Sequence, residues 1–296
     1  MRLPAPDAVG IIERGLRHAV VYKPGGVPCH RSTYVGATAG PPLLQTARDL
    51  LGRRVFLAHR LDQGSSGCVL VGLEGDDGSN EAGDLSASLA AGRKTYFAFC
   101  RGSGELLRAL GDGSATEYAT PSGEVWPVGR LDADGCWGER QVALPHETDG
   151  WFVVERPIKN ENGNERDATT ALRLIVGSTD PRCCLVAARP LTGRWHQIRR
   201  HLNGVSHPIL GDTRHGNTRT NREWHGRGLP SGRLSLHLHR LELPQVSTLI
   251  PAMDVTAPLP AALAECIATH LPAACHHPSV GDLFDAQPWR QLEEEG

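Results

Sequence analysis

Apolar and polar positions along this chain change in short bursts, without long helical stripes. Val20–Lys23 reads as a strand that stops at Pro24-Gly25-Gly26, where proline removes a backbone donor and glycine permits a tight turn. Leu43–Leu51 spaces its apolar residues as an amphipathic helix does and is closed by Gly52. Strands are predicted at Val55–Leu61 and Cys68–Gly72, a helix at Asp84–Ala91 after a glycine- and serine-rich turn, and a strand at Lys94–Cys100. Gly102–Gly150 is rich in Gly, Asp and Pro with weak periodicity, which predicts a surface insertion without chemistry of its own. Strands resume at Ala168–Val176, Cys184–Ala188 and Leu234–Leu241, with helices at Trp195–Leu202 and Leu259–His270. No repeat or heptad run interrupts this order. Many short strands with few helices predict an α+β fold, a mixed, largely antiparallel sheet with flanking helices. One domain is expected over residues 1–275, with an insertion at about 103–150 and a tail at 276–296.

Composition adds compartment and partner. Of 296 residues, 40% are hydrophobic and 22% charged, ordinary for a folded globular protein. The eight cysteines form no C-x-x-C pair, and a chain this long needs no disulfide staples, so a reducing compartment is expected. The first residues carry no apolar leader, and no stretch approaches the roughly 20 apolar residues that cross a bilayer; a soluble cytoplasmic protein without a membrane partner is expected. A net charge of −2 argues weakly against a nucleic-acid partner. The distribution reverses that reading: Arg189–Arg240 holds ten arginines and no lysine against only Asp212 and Glu223, with seven of the fourteen histidines. An RNA-facing surface and a solvated arginine-rich face both fit, and charge alone does not separate them.

Four segments carry candidate chemistry. In His59-Arg60-Leu61-Asp62-Gln63-Gly64-Ser65-Ser66-Gly67, strand alternation would set Arg60 and Asp62 on one face with Leu61 in the core. A carboxylate at such a strand end serves as nucleophile, base, metal ligand or salt-bridge partner, and the local pattern leaves these open. In Gly193-Arg194-Trp195-His196-Gln197-Ile198-Arg199-Arg200-His201-Leu202, a helix presents basic groups on more than one side. An arginine turned inward there needs a carboxylate to offset its desolvation; a helix with solvated arginines is the plainer alternative. Lys94-Thr95-Tyr96 and Lys23-Pro24-Gly25-Gly26 say little alone, since a strand tyrosine usually packs and Lys-Pro-Gly usually turns.

Taken in order, Lys-Pro-x-Gly, His-Arg-Leu-Asp-x-x-Ser-Ser-Gly, Lys-x-Tyr, Gly-Arg-x-His-Gln-Ile-Arg-x-His-Leu and His-Pro-Ile-Leu-Gly-Asp resemble the RluA family of pseudouridine synthases over about residues 15–245. His30-Arg31-Ser32 and Gly211–Arg222 are most similar to the TruC-type tRNA enzymes of that family. Ser65 stands where the family usually has threonine, Trp195 at a variable position, and the insertion and tail have no clear counterpart.

The resemblance implies that Asp62 is the catalytic aspartate, with Arg60 entering the RNA stack as the uridine flips out and Tyr96 stacking on the freed base. It further implies a salt bridge from Arg199 to Asp62 and a uracil pocket lined by Ile198. Lys23, Arg194, His196, Arg214 and Arg222 are expected to contact substrate. The expected partner is RNA, tRNA before ribosomal RNA, acted on by a monomer with no metal and no cofactor. The residue types suit this chemistry, because a carboxylate captures or stabilises the positive charge that develops on the sugar as an N-glycosidic bond breaks. Flipping is eased when an arginine fills the gap and a ring receives the base. A catalytically inactive RNA-binding relative would tolerate loss of Asp62, Tyr96 or Arg199, all of which are present. A kinase reading of His-Arg-Leu-Asp fails for want of a glycine-rich nucleotide loop and an Asp-Phe-Gly. A metal held by His201, His207 and His215 is a further alternative.

Overall fold

The computed structural model describes residues 8–31, 40–160 and 162–284. In chain order its elements are β1 (Gly10–Arg14), β2 (His18–Lys23), α1 (Leu43–Leu51), β3 (Val55–Leu57), β4 (Ser66–Leu73), α2 (Ala82–Ala91) and β5 (Arg93–Arg101). The insertion follows with α3 (Glu105–Asp112), β6 (Glu117–Ala119), β7 (Val125–Pro127), β8 (Gly129–Arg130), β9 (Cys136–Trp137) and β10 (Arg140–Gln141). After it come β11 (Trp151–Glu155), β12 (Ile158–Lys159), β13 (Glu165–Arg166), β14 (Thr169–Thr179), β15 (Arg182–Pro190), α4 (Gln197–Gly204) and α5 (Thr218–His225). β16 (Leu236–Leu243), β17 (Met253–Thr256), α6 (Ala261–His270) and the short α7 (Gly281–Phe284) follow, with single 3-10 turns at Pro145–Glu147 and Pro272–His276. The expected α+β class, mixed and mostly antiparallel, is the one observed.

Two compact units divide these elements, one drawn from the described parts of Met1–Lys94 with His237–Ala264, the other from Thr95–Leu236 with Glu265–Gly281. In the first, β2 lies antiparallel between β1 and β4, β3 adds to β4, and β17 to β16. β16 runs parallel to β4, with His237 opposite Ser66 and Leu238 opposite Gly67. β2 and β4 are buried along their whole length, as strands covered on both faces are, so they read as continuous apolar runs. Gly67 has φ +121°, and a Cβ there would run into the Leu238 carbonyl. The last residue of the Ser-Ser-Gly motif is therefore glycine for a backbone reason.

The second unit is an antiparallel sheet in the order β5, β15, β14, β11, β8. β15, between β5 and β14, has Cys183 to Ala188 all buried, and α4 packs against β14 and β15. The Gly102–Gly150 stretch is more ordered than its composition suggests. α3 buries Leu107 and Leu110 and packs on β14 and β11, while β8 joins the sheet through β11. Gly, Asp and Pro mark its turns; its core contribution comes from a few well-placed leucines.

One local expectation is corrected. The strand predicted at Val55–Leu61 ends at Leu57, and residues 58–65 form a loop, so Arg60 and Asp62 do not share a strand face. The loop is fixed by contacts distant in sequence, which periodicity does not register. Among the described residues no helix is long and apolar enough to cross a membrane.

Candidate active site

Asp62 is half-buried and Arg60 exposed on the 58–65 loop. Three ties hold that loop. Asp62 closes a turn by accepting the Ser65 N–H through its backbone carbonyl at 3.1 Å, and Gly26 N–H donates to the Gln63 carbonyl at 2.8 Å. Lys23, fully buried, donates its ammonium to the carbonyls of Pro24, Val27 and Gln63 at 2.9, 2.7 and 3.0 Å. The ammonium lies beneath the backbone that carries Asp62, where three carbonyl dipoles replace its lost hydration. Cys29 supplies the third tie, its thiol donating to the Leu61 carbonyl at 3.3 Å and accepting the Leu61 N–H at 3.4 Å. Burial pushes that thiol up from its ordinary value. His59 accepts the Leu70 N–H at 3.1 Å. Of the His30-Arg31-Ser32 triplet, His30 is half-buried and Arg31 exposed, while Ser32 lies outside the described residues.

A second cluster gathers around α4. Arg199, 8% exposed, donates from Nε and Nη2 to the two carboxylate oxygens of Asp212, both at 2.8 Å. Asp212 is 1% exposed and also accepts the backbone N–H groups of Arg214 and His215 at 2.9 and 2.8 Å. Burial alone would raise its carboxyl, but the hydrogen bonds and the Arg199 charge outweigh it and hold the group below the usual carboxylate range. The inward arginine expected from sequence is present, and this carboxylate is the partner the sequence reading did not name. Its place follows from the His-Pro-Ile-Leu-Gly-Asp segment. Leu210 N–H bonds the Phe99 carbonyl, and Gly211, at φ +81° with no room for a Cβ beside the Arg233 carbonyl, turns the chain toward Arg199.

Gln197 and His201, four residues apart on one face of α4, were given no anchoring role by the sequence reading. Gln197 donates to the Thr169 carbonyl and Thr170 Oγ1 and accepts from Thr192 Oγ1 and the Arg194 N–H, at 2.7 to 3.0 Å. His201 donates Nε2–H to the Arg156 carbonyl and accepts at Nδ1 from Thr170 Oγ1. Burial holds its ring down at about 4, so it stays neutral. These two side chains bolt α4 to β14.

At the N-terminus of α4 the helix starts two residues later than predicted, because His196 sits at φ +54° in the left-handed region. That turn stacks His196 on Trp195, ring centroids 3.9 Å apart, and brings His196 Nδ1 to 2.9 Å from His215 Nε2. Arg214, exposed, lies 4.4 Å over the Trp195 ring. Arg194 is exposed with Nε on the Asp167 carbonyl, Ile198 is buried, and Arg222 is exposed on α5. Tyr96 is 9% exposed on β5, opposite Ala188 of β15. Among the described residues no group of three or more His, Cys, Asp or Glu could hold a metal ion. His207 turns Nδ1 to the Val205 carbonyl.

Exposed guanidinium groups lie in the same segment as a buried arginine-carboxylate pair, and comparison with known proteins names the class. The family model for RNA pseudouridylate synthase matches residues 17–204. The tRNA pseudouridine synthase C of Salmonella typhimurium is 35% identical over 227 residues, covering 75% of each chain. That of Vibrio parahaemolyticus is 29% identical over 248 residues, 80% of this chain and 85% of its own. The solved human RNA Pseudouridylate Synthase Domain Containing 1 shares the fold at TM-score 0.53 and 21% identity, over 90% of both chains. Human RNA Pseudouridylate Synthase Domain Containing 4 does so at TM-score 0.54 and 18% identity, over 87% and 91%. The chain belongs to the RNA pseudouridylate synthase family. Its activity is that of an RNA pseudouridine synthase.

Proposed function

We propose that this protein isomerises a specific uridine of tRNA to pseudouridine, with the Asp62 carboxylate as the reacting group. The observation that carries the reading is the similarity to proteins named tRNA pseudouridine synthase C over three quarters of both chains. In the reaction the bond from ribose C1′ to uracil N1 breaks and a bond from C1′ to C5 forms, N1 gaining a proton as C5 loses one. Asp62 attacks or stabilises the electron-poor fragment. Arg60 fills the gap left by the flipped uridine, Tyr96 receives the base and Ile198 lines its pocket. Arg199 is assigned to hold the Asp62 carboxylate ionised, a role that five N–H donors allow beside Asp212. Arg194, His196, Arg214 and Arg222 are assigned to the RNA backbone. The protein is taken to act as a cytoplasmic monomer formed of one catalytic domain, consistent with its eight cysteines being unpaired thiols.

Pseudouridine mapping of total RNA from cells with and without the gene tests the substrate. A position in tRNA that depends on the gene is expected, and loss confined to ribosomal RNA would overturn the assignment. Purified Asp62→Asn is expected to bind tRNA as the parent does while turnover falls below detection; comparable turnover would remove Asp62 from the chemistry.

A further inference from the structure

The insertion takes part in a cavity that the functional reading leaves unused. The β6–β7 hairpin, the turn into β12 and the outer face of α4 enclose about 510 Å³, with Glu124, Trp126, Arg156, Lys159, Arg200 and His215 among the lining residues. Arg156 lies 5.3 Å over the Trp126 ring and reaches Glu124 at 3.5 Å; the α4 end admits it because Gly204 has no Cβ. Lys159 and Glu165 form a loose exposed pair at 3.8 Å. Arg200 is different. It is half-buried, donates Nη1–H to the Lys159 carbonyl at 2.7 Å, and has no acidic partner among the described residues. Burial, and then the charge of Arg156, lowers its guanidinium from the ordinary value, the signature of a cation crowded by another cation.

Two guanidinium groups and an ammonium on one concave wall, only loosely offset by two exposed acids, suit a diester phosphate, which matches guanidinium forks and tolerates nearby carboxylates only at some cost. We propose that this groove seats the sugar-phosphate backbone of the substrate RNA at nucleotides outside the target uridine, with Arg200 and Arg156 as the phosphate ligands. The inference rests on the RNA pseudouridine synthase reading and gives the insertion a role in choosing the substrate.

The test uses the full chain and in vitro transcribed, unmodified tRNA, with filter binding and turnover measured across a salt series. The double variant Arg156→Gln/Arg200→Gln is expected to raise KM and Kd about tenfold with kcat unchanged, and to lower the slope of log K against log salt by about one per arginine. Glu124→Gln, which removes a competing negative charge, is expected to tighten binding. Arg54→Gln, an exposed arginine outside the groove, controls for net charge. KM, Kd and salt slope of the double variant equal to those of the parent would overturn the proposal, as would a loss matched by Arg54→Gln. If the parent binds tRNA but makes no pseudouridine in it, the functional reading fails while filter binding still reports on the groove. If the parent does not bind tRNA at all, both fall.

Discussion

Arg199 and Asp212 show what a buried charge demands of its neighbours. With the carboxylate 1% exposed, removing the guanidinium leaves a buried ion held only by the Arg214 and His215 backbone N–H groups, a loss of about 3–5 kcal/mol. Arg199→Met is therefore expected to lower unfolding stability by about that amount at neutral pH, read by urea denaturation. Arg199→Met/Asp212→Leu should recover much of it. The pH dependence has a definite sign. In the parent the Asp212 carboxyl is held below its ordinary value, so its contribution is whole above that value and is lost as pH falls through the folded one. In Arg199→Met burial raises the carboxyl instead, and the deficit should shrink on acidification as the group takes up a proton. A deficit independent of both pH and Asp212 would remove this account. Sequence made the inward arginine legible, because its desolvation requires an acid. The resemblance named Asp62 as an acid for it and said nothing of Asp212, which arrives thirteen residues later by a turn that depends on Gly211.

Elements were legible where periodicity and a stop signal coincide. α1 spans Leu43–Leu51 as predicted, with Gly52 at φ +67°. They were less legible where long-range ties decide. Residues 58–61 looked like a continuation of the strand, yet the backbone of this loop is claimed by Lys23 and Cys29, which no local window contains. Gly67 marks the opposite case, a motif residue whose reason lies in the element that passes beside it. Gly67→Ala must adopt φ +121° and displace the Leu238 backbone, so a loss of at least about 1–3 kcal/mol is expected from backbone strain alone. Guanidinium denaturation checks this; a variant within about 0.5 kcal/mol of the parent, the range of neutral surface changes, would show that β4 and β16 do not approach as described.

Across the whole molecule, histidine is where composition misled. Seven of fourteen fall in the arginine-rich segment and seemed to belong to its charge, yet His201, His207, His237 and His239 are buried and each hydrogen-bonds a backbone carbonyl. Burial holds His59 and His237 at about 3 and His201 at about 4. His237 also accepts from Ser66 Oγ, as His59 does from Leu70 N–H, so protonation would remove a bond as well as bury a charge. All three folded values lie below the unfolded one of 6.5, hence the unfolded chain binds more protons in between. Stability should be full above pH 6.5 and fall toward pH 4, at up to about 1.4 kcal/mol per pH unit for each histidine. Urea midpoints that stay level across this range would contradict neutral buried rings.

The parallel pairing of β4 with β16 joins Ser66 to His237, 171 residues further along the chain. A ribosome adding about 5–20 residues each second needs roughly 10–30 s to cover that distance. For that interval the nascent β4 has β2 and β3 beside it but not β16, and its unpaired backbone faces whatever else is near. The sheet of the second unit, by contrast, builds largely from neighbours in sequence such as β14 and β15. Synthesis thus finishes the middle of this protein before its beginning.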